Sequence, residues 1–347
     1  MSCLDSVLVH GKWGSVRKVR FKSQIRSLVE YALENDGLPL LEQDIKNIIE
    51  EDRAKRETLR MQITQAGWRR ALGQYGDQLG KAYRPLVRDT VSFAKGVGLF
   101  SVVDGRVKCL TAARRLFNKI EEPQEFEKQL MLLILTSKYK AYLCFLANLQ
   151  RLGGRLNIPP KFKKRTVISG IREFLQANRF ATDVASFFTI RDLLYDFGLL
   201  NWRILPDDSA QEIYLTSELV ESGSQPSESF INKIELDKCR LFFTKSVKPA
   251  FFADCVEKHY LALTDNNFGA IADLLQLRDL VCEELKMSDG QFNKMLLNMS
   301  REAEYGLDVE LSQGRIPFRR SSGLLIKAIN VIEVNHETFA TYIRLRR

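Results

Sequence analysis

The sequence predicts a mainly α-helical protein that carries small β-hairpins. Three observations lead to this prediction: a globular composition, a series of stretches with helical periodicity, and one pattern that occurs three times. Hydrophobic residues make up 45% of the 347 residues and charged residues 27%, which excludes a disordered or fibrous chain. At roughly 150 residues per domain, a chain of this length predicts two or three domains.

The repeated pattern consists of a helical stretch, a Gly-Leu pair and an extended stretch that contains a turn. The pairs begin at Gly98, Gly198 and Gly306. Glycine suits the position just after a helix, where the left-handed backbone conformation disfavours a Cβ. The turns that follow are Asp104-Gly105, Pro206-Asp207-Asp208 and Ser312-Gln313-Gly314. Each unit therefore predicts a helix that leads into a β-hairpin.

Further helices are predicted around each unit from apolar periodicity and capping signals. The expected ranges are 22–35, 41–56, 57–72, 85–95 and 112–120 in the first third, 124–152, 166–178 and 183–197 in the second, and 250–263, 268–286 and 289–303 in the last. Thr111 is expected to cap the helix at 112–120, and Ser288 with Gln291 matches a capping box.

The domain organisation follows from this order of elements. Residues 1–120 are predicted to form a basic N-terminal arm and a first domain, residues 121–222 a second domain, and residues 223–347 a third domain with a basic C-terminal tail. The serine-rich segment 222–229 has the composition of a linker.

Two or three helices followed by a two-stranded hairpin resemble the winged-helix domain. The resemblance is closest in the first unit, at Gly98-Leu-Phe-Ser and Asp104-Gly-Arg-Val, and it implies three tandem winged-helix-like domains. It further implies a helix able to enter the major groove of DNA and a hairpin wing that touches the DNA backbone. The superfamily also contains modules that bind only protein.

The charge of the chain is concentrated in its first third. Residues 1–120 hold 22 basic and 13 acidic side chains, whereas residues 121–222 hold 13 of each and residues 223–347 hold 17 of each. The formal net charge of +9 therefore comes from the first third. Such an excess favours a polyanionic partner, and together with the resemblance it predicts a protein that binds double-stranded DNA.

The residues predicted to contact DNA are cationic and polar side chains of the presumed recognition helices, wings and basic segments. In the first third they are Arg17, Lys18, Arg20 and Lys22 of the arm, Arg84, Arg88, Ser92 and Lys95 of the helix, and Arg106 and Lys108 of the hairpin. Elsewhere they are Lys163, Lys164 and Arg165 of a loop, Gln291, Lys294, Asn298 and Arg301 of a helix, and Arg319 and Arg320 after it. These residue types suit phosphates and base edges, and the alternative is a solvated helix face, tail or loop.

The helix predicted at 183–197 is not expected to contact DNA. Asp183, Asp192 and Asp196 would face solvent beside Arg191 and would repel phosphates, so a protein contact or burial suits this helix better. The neutral charge of residues 121–347 supports an alternative function, in which the winged helices of a scaffold subunit bind other proteins. Under the favoured hypothesis the protein is a regulator or the DNA-recognition subunit of a larger complex.

No sequence pattern predicts catalysis, a cofactor or a bound metal. His10, His259 and His336 lie far apart and in no metal-binding spacing, and neither a nucleotide-binding glycine loop nor a nucleophile elbow is present. Acidic residues at 207, 235 and 237 imitate a nuclease metal site only loosely. A non-enzymatic protein is therefore expected.

The expected location is the cytoplasm, in association with the nucleoid if the source is prokaryotic. Apolar runs such as Leu130–Leu135 are far too short to span a bilayer, and residues 1–20 do not follow the order of a signal peptide. The six scattered cysteines are expected to be reduced and mostly buried. The sequence predicts no particular oligomeric state.

Overall fold

A computed structural model describes residues 13, 19, 21–51, 79–158, 166–204, 211–301, 308–312, 332–335 and 338–346. The structure is mixed α/β: it is 52% helical, with 22% in strands that form small antiparallel sheets. It divides into two compact units. The described residues up to 227, together with 232–243, belong to the first unit, and residues 228–231 with those from 244 onward belong to the second. The division into three domains stays a prediction.

The first described elements of the first unit are three helices and a hairpin. The helices are α1 (Lys22–Glu34), α2 (42–51) and α3 (Leu79–Val97). The hairpin consists of β1 (Phe100–Val103) and β2 (Arg106–Cys109), which pair antiparallel. The predicted order of helix, glycine and hairpin is confirmed in this segment.

Positive φ angles explain the glycines and the turn of this hairpin. Gly98 ends α3 with a φ of +82°, and the turn residues Asp104 and Gly105 have φ angles of +49° and +73°. Two consecutive positive φ angles are typical of the type I′ turn, whose twist matches that of the flanking strands. The Asp-Gly pair is therefore required by the backbone of the turn.

A short extended segment between α1 and α2 adds a third strand to the hairpin. Pro39 lies opposite Arg106 in an antiparallel bridge. The N–H of Val107 donates to the carbonyl of Leu38, and the N–H of Leu40 donates to the carbonyl of Gly105, both at 2.8 Å. The strand order is therefore 38–40, β2, β1, an addition that the sequence did not predict.

The next helices differ from the prediction at two places. They are α4 (Thr111–Phe117), α5 (Pro123–Thr136) and α6 (Ala141–Arg151). Thr111 is the first helical residue and no side chain caps α4, so the predicted cap is wrong. The single helix predicted at 124–152 is also wrong, because the chain bends by 86° between α5 and α6. Ser137 ends α5 in an extended conformation, and its hydroxyl donates to the carbonyl of Ile134 at 2.8 Å.

A second set of elements repeats the first arrangement. It comprises β3 (Arg155–Ile158), α7 (Thr166–Ala177), α8 (Val184–Asp196), β4 (Leu200–Ile204) and β5 (Gln211–Leu215). The strands form an antiparallel sheet in the order β3-β5-β4. The predicted hairpin is confirmed, and its turn at 206–208 lies outside the described residues.

The segment predicted as a linker is a loop of a further sheet. Strands β6 (Ser217–Glu221), β7 (Phe230–Glu235) and β8 (Cys239–Lys245) form this sheet in the order β6-β8-β7, and residues 222–229 connect β6 to β7. Within the first unit, the carboxylate of Glu218 accepts hydrogen bonds from the N–H and the hydroxyl of Ser227. The serine-rich composition therefore supplies hydrogen bonds to the sheet.

The second unit contains a third set of the same elements. These are α9 (Pro249–Leu263), β9 (Ala272–Asp273), α10 (Leu274–Leu285), α11 (Asp289–Arg301), β10 (Asp308–Ser312), β11 (Ile332–Asn335), β12 (Thr338–Ala340) and β13 (Tyr342–Arg346). Helix α10 begins later than the predicted helix at 268–286. The side chain of Asp273 caps it by accepting from the N–H groups of Leu275 and Gln276.

The end of the chain corrects one prediction and leaves another untested. Strand β10 pairs with β13, with Ser312 opposite Tyr342, and the turn predicted at 312–314 continues into residues 313 and 314, which lie outside the described residues. The residues predicted as a basic tail form β13. Arg344 and Arg346 pair with Glu310 on the neighbouring strand at 3.2 and 2.8 Å, and cross-strand pairs of opposite charge stabilise a sheet.

Among the described residues, the same connectivity therefore occurs three times. A helix is followed by a short strand, two helices and two longer strands, and the short strand pairs with the last strand. The short strand is 38–40 in the first copy, β3 in the second and β9 in the third. In the third copy the β11-β12 hairpin is inserted before the last strand. We refer to these copies as the first, second and third motifs.

Buried aromatic rings form part of the core of the first unit. Phe145, Phe180 and Phe187 pack with ring centroids 5.1–5.2 Å apart, and Trp13 contacts Phe180 edge-on at 5.7 Å. Val19 is buried as well. The predicted alternative of a solvated tail therefore does not hold at these two arm positions.

Tyr139, in the bend between α5 and α6, packs against α3. Its ring is parallel to that of Phe93, with the centroids 6.2 Å apart, and its hydroxyl donates to the carbonyl of Ser92 at 2.8 Å. A Cβ at Gly96 would lie 1.9 Å from this ring. The glycine is therefore needed for the close approach of the tyrosine.

We expect Gly96→Ala to destabilise the protein by about 1–3 kcal/mol, because the Tyr139 ring would have to move. The matched control is Gly170→Ala in α7, where a Cβ has no atom within 4 Å and should stabilise the helix by about 0.5–1 kcal/mol. Urea unfolding measures both effects. Equal effects at the two positions would contradict this account of Gly96.

Burial of Cys144 predicts a loss of stability at alkaline pH. The described cysteines, Cys109, Cys144, Cys239, Cys255 and Cys282, are all free and buried, as expected. Desolvation raises the pKa of the Cys144 thiol from its ordinary value of 9.0 to about 11. Because only the unfolded chain ionises between these values, the stabilisation is complete below pH 9 and is lost as the pH rises towards 11.

The free energy of unfolding should therefore fall less between pH 9 and pH 11 in Cys144→Ala than in the wild type. Denaturant unfolding of both proteins below pH 9 and near pH 11 measures the difference. The other titrating groups are common to both proteins and cancel in the comparison. An identical pH dependence in the two proteins would show that Cys144 does not contribute.

Candidate nucleic-acid interface

Helix α3 separates an apolar face from a cationic face. Val87, Phe93 and Ala94 are buried, whereas Arg88, Ser92 and Lys95 are exposed. Val91, which was predicted to face the core with Val87 and Ala94, is half-buried. Arg84 lies within the described backbone of α3, four residues before Arg88.

The cations of α3 are weakly engaged within the protein. The side chain of Arg88 is 79% exposed, and its Nε lies 3.9 Å from Asp89 Oδ1, in a surface pair of the kind that contributes little to stability. Lys95 occupies the last turn of the helix, where a positive charge interacts favourably with the helix dipole. Both side chains are therefore free to turn towards an anionic ligand.

The hairpin presents two further cations on one face. Burial alternates along β2, so that Arg106 and Lys108 are exposed while Val107 and Cys109 are buried. Arg106 Nη1 donates to the carbonyl of Gly37 at 2.9 Å, which holds the guanidinium near the short strand. We call Arg88, Lys95, Arg106 and Lys108 the α3–hairpin surface.

Sequence reasoning missed two lysines next to α3. Lys138 and Lys140 are exposed and flank Tyr139, the residue whose hydroxyl binds the carbonyl of Ser92. The ammonium of Lys138 lies 5.8 Å from the centre of the Tyr139 ring. A continuous helix was predicted here, and Ser137 was the one signal that could have indicated the bend.

The arm residue Lys22 is part of the folded unit. Its Nζ lies 2.7 Å from Glu127 Oε1, and its backbone N–H donates to Asp196 Oδ2 at 2.7 Å. A phosphate contact by Lys22 would therefore compete with an internal ion pair. The predicted contacts Arg17, Lys18 and Arg20 lie outside the described residues, as do Lys163, Lys164 and Arg165 of the loop.

Helix α8 corrects the prediction that three carboxylates face solvent, because Asp183 alone of the three is exposed. Asp192 is fully buried and forms an ion pair with Arg191. Asp196 is half-buried and accepts from Lys22, and Asp183 caps the helix by accepting from the N–H of Ser186 at 2.9 Å. The guanidinium of Arg191 also lies over the Trp202 ring at 4.5 Å.

The burial of α8 therefore distinguishes it from a helix that binds in the major groove of DNA. Nine of its thirteen residues are buried, and Ala185 is the only exposed one. A helix that enters the major groove must present polar side chains to base edges. Helix α8 has no such face, so its packing, and not the predicted charge repulsion, argues against a contact with DNA.

Helix α11 of the third motif presents a polar stripe. Lys294, Asn298 and Arg301 are exposed at positions i, i+4 and i+7, on the opposite side from buried Phe292 and Leu296. This spacing places the three polar side chains on one face of the helix. Arg319 and Arg320, predicted to follow this helix on the DNA surface, lie outside the described residues.

Gln291 does not share this stripe. Its side-chain amide donates to the carbonyl of Lys245, and its backbone N–H donates to Ser288 Oγ at 3.2 Å. The predicted cap by Ser288 is thereby confirmed. The glutamine is half-buried, and its amide already has a partner within the unit.

The structure brings together one set of residues that the sequence left apart. Cys255, His259 and Glu284 place their ligand atoms within 4.8 Å of one another in the second unit. Burial and the nearby Glu284 carboxylate raise the pKa of the Cys255 thiol to about 12, which disfavours the nucleophilic thiolate form when no cation is bound. A catalytic role of the cysteine is therefore not favoured.

Comparison of the chain with family models, with curated proteins and with solved structures gave no match. No single helix among the residues that the structure describes is both long and apolar enough to cross a membrane. Helices α5 and α6 meet these criteria only when they are taken together, across the 86° bend.

Proposed function

We propose that the protein is a non-enzymatic double-stranded DNA-binding protein and that the α3–hairpin surface is its main contact. The observation that carries this proposal is the separation of residue types on α3 and β2. Arg88, Lys95, Arg106 and Lys108 point outward from elements whose apolar side chains are buried. Cations on a helix and on the adjoining hairpin are suited to the phosphates that flank a groove.

We further propose that the three motifs are winged-helix domains, with the helix before each hairpin in the position of the recognition helix. The repeated connectivity supports this assignment, since in each motif the short strand after the first helix pairs with the last strand. The recognition helices would be α3, α8 and α11. Their exposure differs so strongly that they would have different functions.

In this proposal the first motif binds the DNA backbone and the third motif reads bases. Asn298 can make two hydrogen bonds to an adenine, and Arg301 can do the same with a guanine. Both are exposed on α11. The second motif keeps its buried helix for packing and contributes to the core of the first unit. The protein would act as a regulator or as the DNA-recognition subunit of a larger complex.

A scaffold that binds proteins is the second candidate, and one observation favours it. Leu38, Leu41 and Val103 are 50–54% exposed. Leu38 pairs with β2 through its backbone, and Val103 lies opposite Arg106 in the hairpin. Exposed apolar side chains near a wing suit a protein surface better than a phosphate backbone.

The combined variant Arg88→Ala, Lys95→Ala and Lys108→Ala should weaken binding to double-stranded DNA. Each lost phosphate contact should lower the slope of log affinity against log salt by roughly 0.9, so we expect a decrease of about 2–3. Fluorescence anisotropy at several salt concentrations measures both quantities. The matched control is Lys238→Ala, which removes an exposed lysine of the β7–β8 turn in the same unit.

An unchanged salt slope in the triple variant would contradict the proposed surface. If the wild type binds no DNA even at low salt, the DNA-binding function itself is wrong and the scaffold is favoured. In that case Leu38→Ser with Val103→Ser should abolish a protein interaction that the triple variant retains.

Asn298→Ala tests base recognition by the third motif. Against a DNA sequence selected from a random pool, we expect this variant to lose about 1–3 kcal/mol of discrimination over a scrambled sequence. Lys294→Ala, on the same face of α11, should weaken binding to both sequences equally. Competition binding measures the discrimination. Full discrimination by the asparagine variant would show that α11 does not read bases through this residue.

A further inference from the structure

Three side chains of metal-ligand type meet between two helices of the second unit. Cys255 and His259 lie one turn apart on α9, and Glu284 lies on α10. The thiol sulfur, an imidazole nitrogen and a carboxylate oxygen all lie within 4.8 Å of one another. His259 Nε2 lies 2.8 Å from Glu284 Oε2.

The packing of α9 against α10 fixes this arrangement. Residues four apart on a helix share a face, so Cys255 and His259 point in the same direction. Buried residues on both helices, Val256, Tyr260 and Val281, hold this part of the unit in a packed core. The backbones that carry the three side chains are therefore rigid, which favours ligand binding without a large ordering cost.

The trio lies at the boundary between the core and solvent. Cys255 is 4% exposed, the side chain of His259 is 16% exposed and that of Glu284 is 34% exposed. An ion can therefore reach the group from the Glu284 side, while the sulfur is shielded. Solvent exposure therefore increases from Cys255 to Glu284, which allows an incoming ion to exchange its bound water for protein ligands.

We propose that Cys255, His259 and Glu284 form a zinc-binding site. Zinc takes sulfur, nitrogen and carboxylate oxygen at about 2.0–2.3 Å in tetrahedral geometry, so the ligand atoms of a loaded site lie roughly 3.3–3.6 Å apart. In the structure one pair of ligand atoms lies 2.8 Å apart and no pair lies more than 4.8 Å apart, so only small side-chain rotations separate this arrangement from a loaded site. A thiolate with an imidazole selects zinc over calcium and magnesium, which prefer oxygen ligands alone.

Lys258 orients the carboxylate of this site. Its Nζ lies 2.9 Å from Glu284 Oε1 and 2.7 Å from Oε2. The metal needs one oxygen, and Oε2 already faces His259, so the lysine can remain bound to Oε1. Three protein ligands leave a fourth tetrahedral position for water or for another ligand.

Metal titration of the full chain tests the site, with Zn²⁺ for affinity and Co²⁺ as the spectroscopic probe. We expect about one equivalent of Co²⁺ to give the visible bands of a tetrahedral ion and a thiolate-to-metal charge-transfer band in the near ultraviolet. In Cys255→Ser the charge-transfer band should disappear. His259→Ala and Glu284→Gln should each weaken Zn²⁺ binding by at least about tenfold.

Cys282→Ser is the matched control, because it removes another buried cysteine of the same unit that lies outside the trio. It should retain the charge-transfer band and the wild-type affinity. A spectrum without thiolate coordination, or one that survives in Cys255→Ser, would overturn the proposal. Circular dichroism checks that each variant folds, and the variants of the more exposed His259 and Glu284 decide the outcome if Cys255→Ser does not.

Discussion

The pairing of a short strand with the last strand closes each of the three motifs, and the positions of the other elements depend on it. In the first motif this contact is a few backbone hydrogen bonds between residues 38–40 and β2. They join two segments that are far apart in the sequence, so the helices between them must fold back across the sheet. The helix before the hairpin is thereby fixed against the flank of the sheet, and it has one face in the core and the other in solvent. The proposed function depends on this partition of faces.

Local patterns predicted the elements, whereas long-range contacts decided their environment. Asp104-Gly105 specified its own turn through backbone conformation, and Asp183 specified the start of α8. The short strands, by contrast, are two to four residues long, and their pairing partners lie on distant β2, β5 and β13, so no local pattern was long enough to predict them. The bend at Ser137 was missed because the apolar periodicity continues on both sides of it. The partner of β10 was missed because the strand that pairs with it is not the next one in the chain.

The candidate sites, too, could be predicted only where they depend on local sequence patterns and not on long-range contacts. The exposure of Arg88, Lys95 and Lys108 could be predicted, since they alternate with apolar residues at helix or strand spacing. The burial of Asp192 could not, because its partner Arg191 is held in turn by the ring of Trp202 on another element. For the same reason Gln291 appeared to belong to the polar stripe of α11. Cys255 and His259 come close to Glu284 only because α9 and α10 pack at one particular angle. The spacing of residues within one segment gives no information about that angle.

The contact of Tyr139 with α3 affects how the first unit would bind a long, stiff ligand such as DNA. The tyrosine belongs to the bend that begins the second motif, yet it binds the backbone of the helix that carries Arg88 and Lys95. The first two motifs are thereby locked in one relative orientation before any partner arrives. Two motifs joined by a flexible linker would lose conformational entropy on binding a ligand. The first and second motifs have already lost this entropy during folding. Under the proposed function, Gly96, the residue that permits the close approach of the tyrosine, therefore helps to set the spacing at which the first unit would contact DNA.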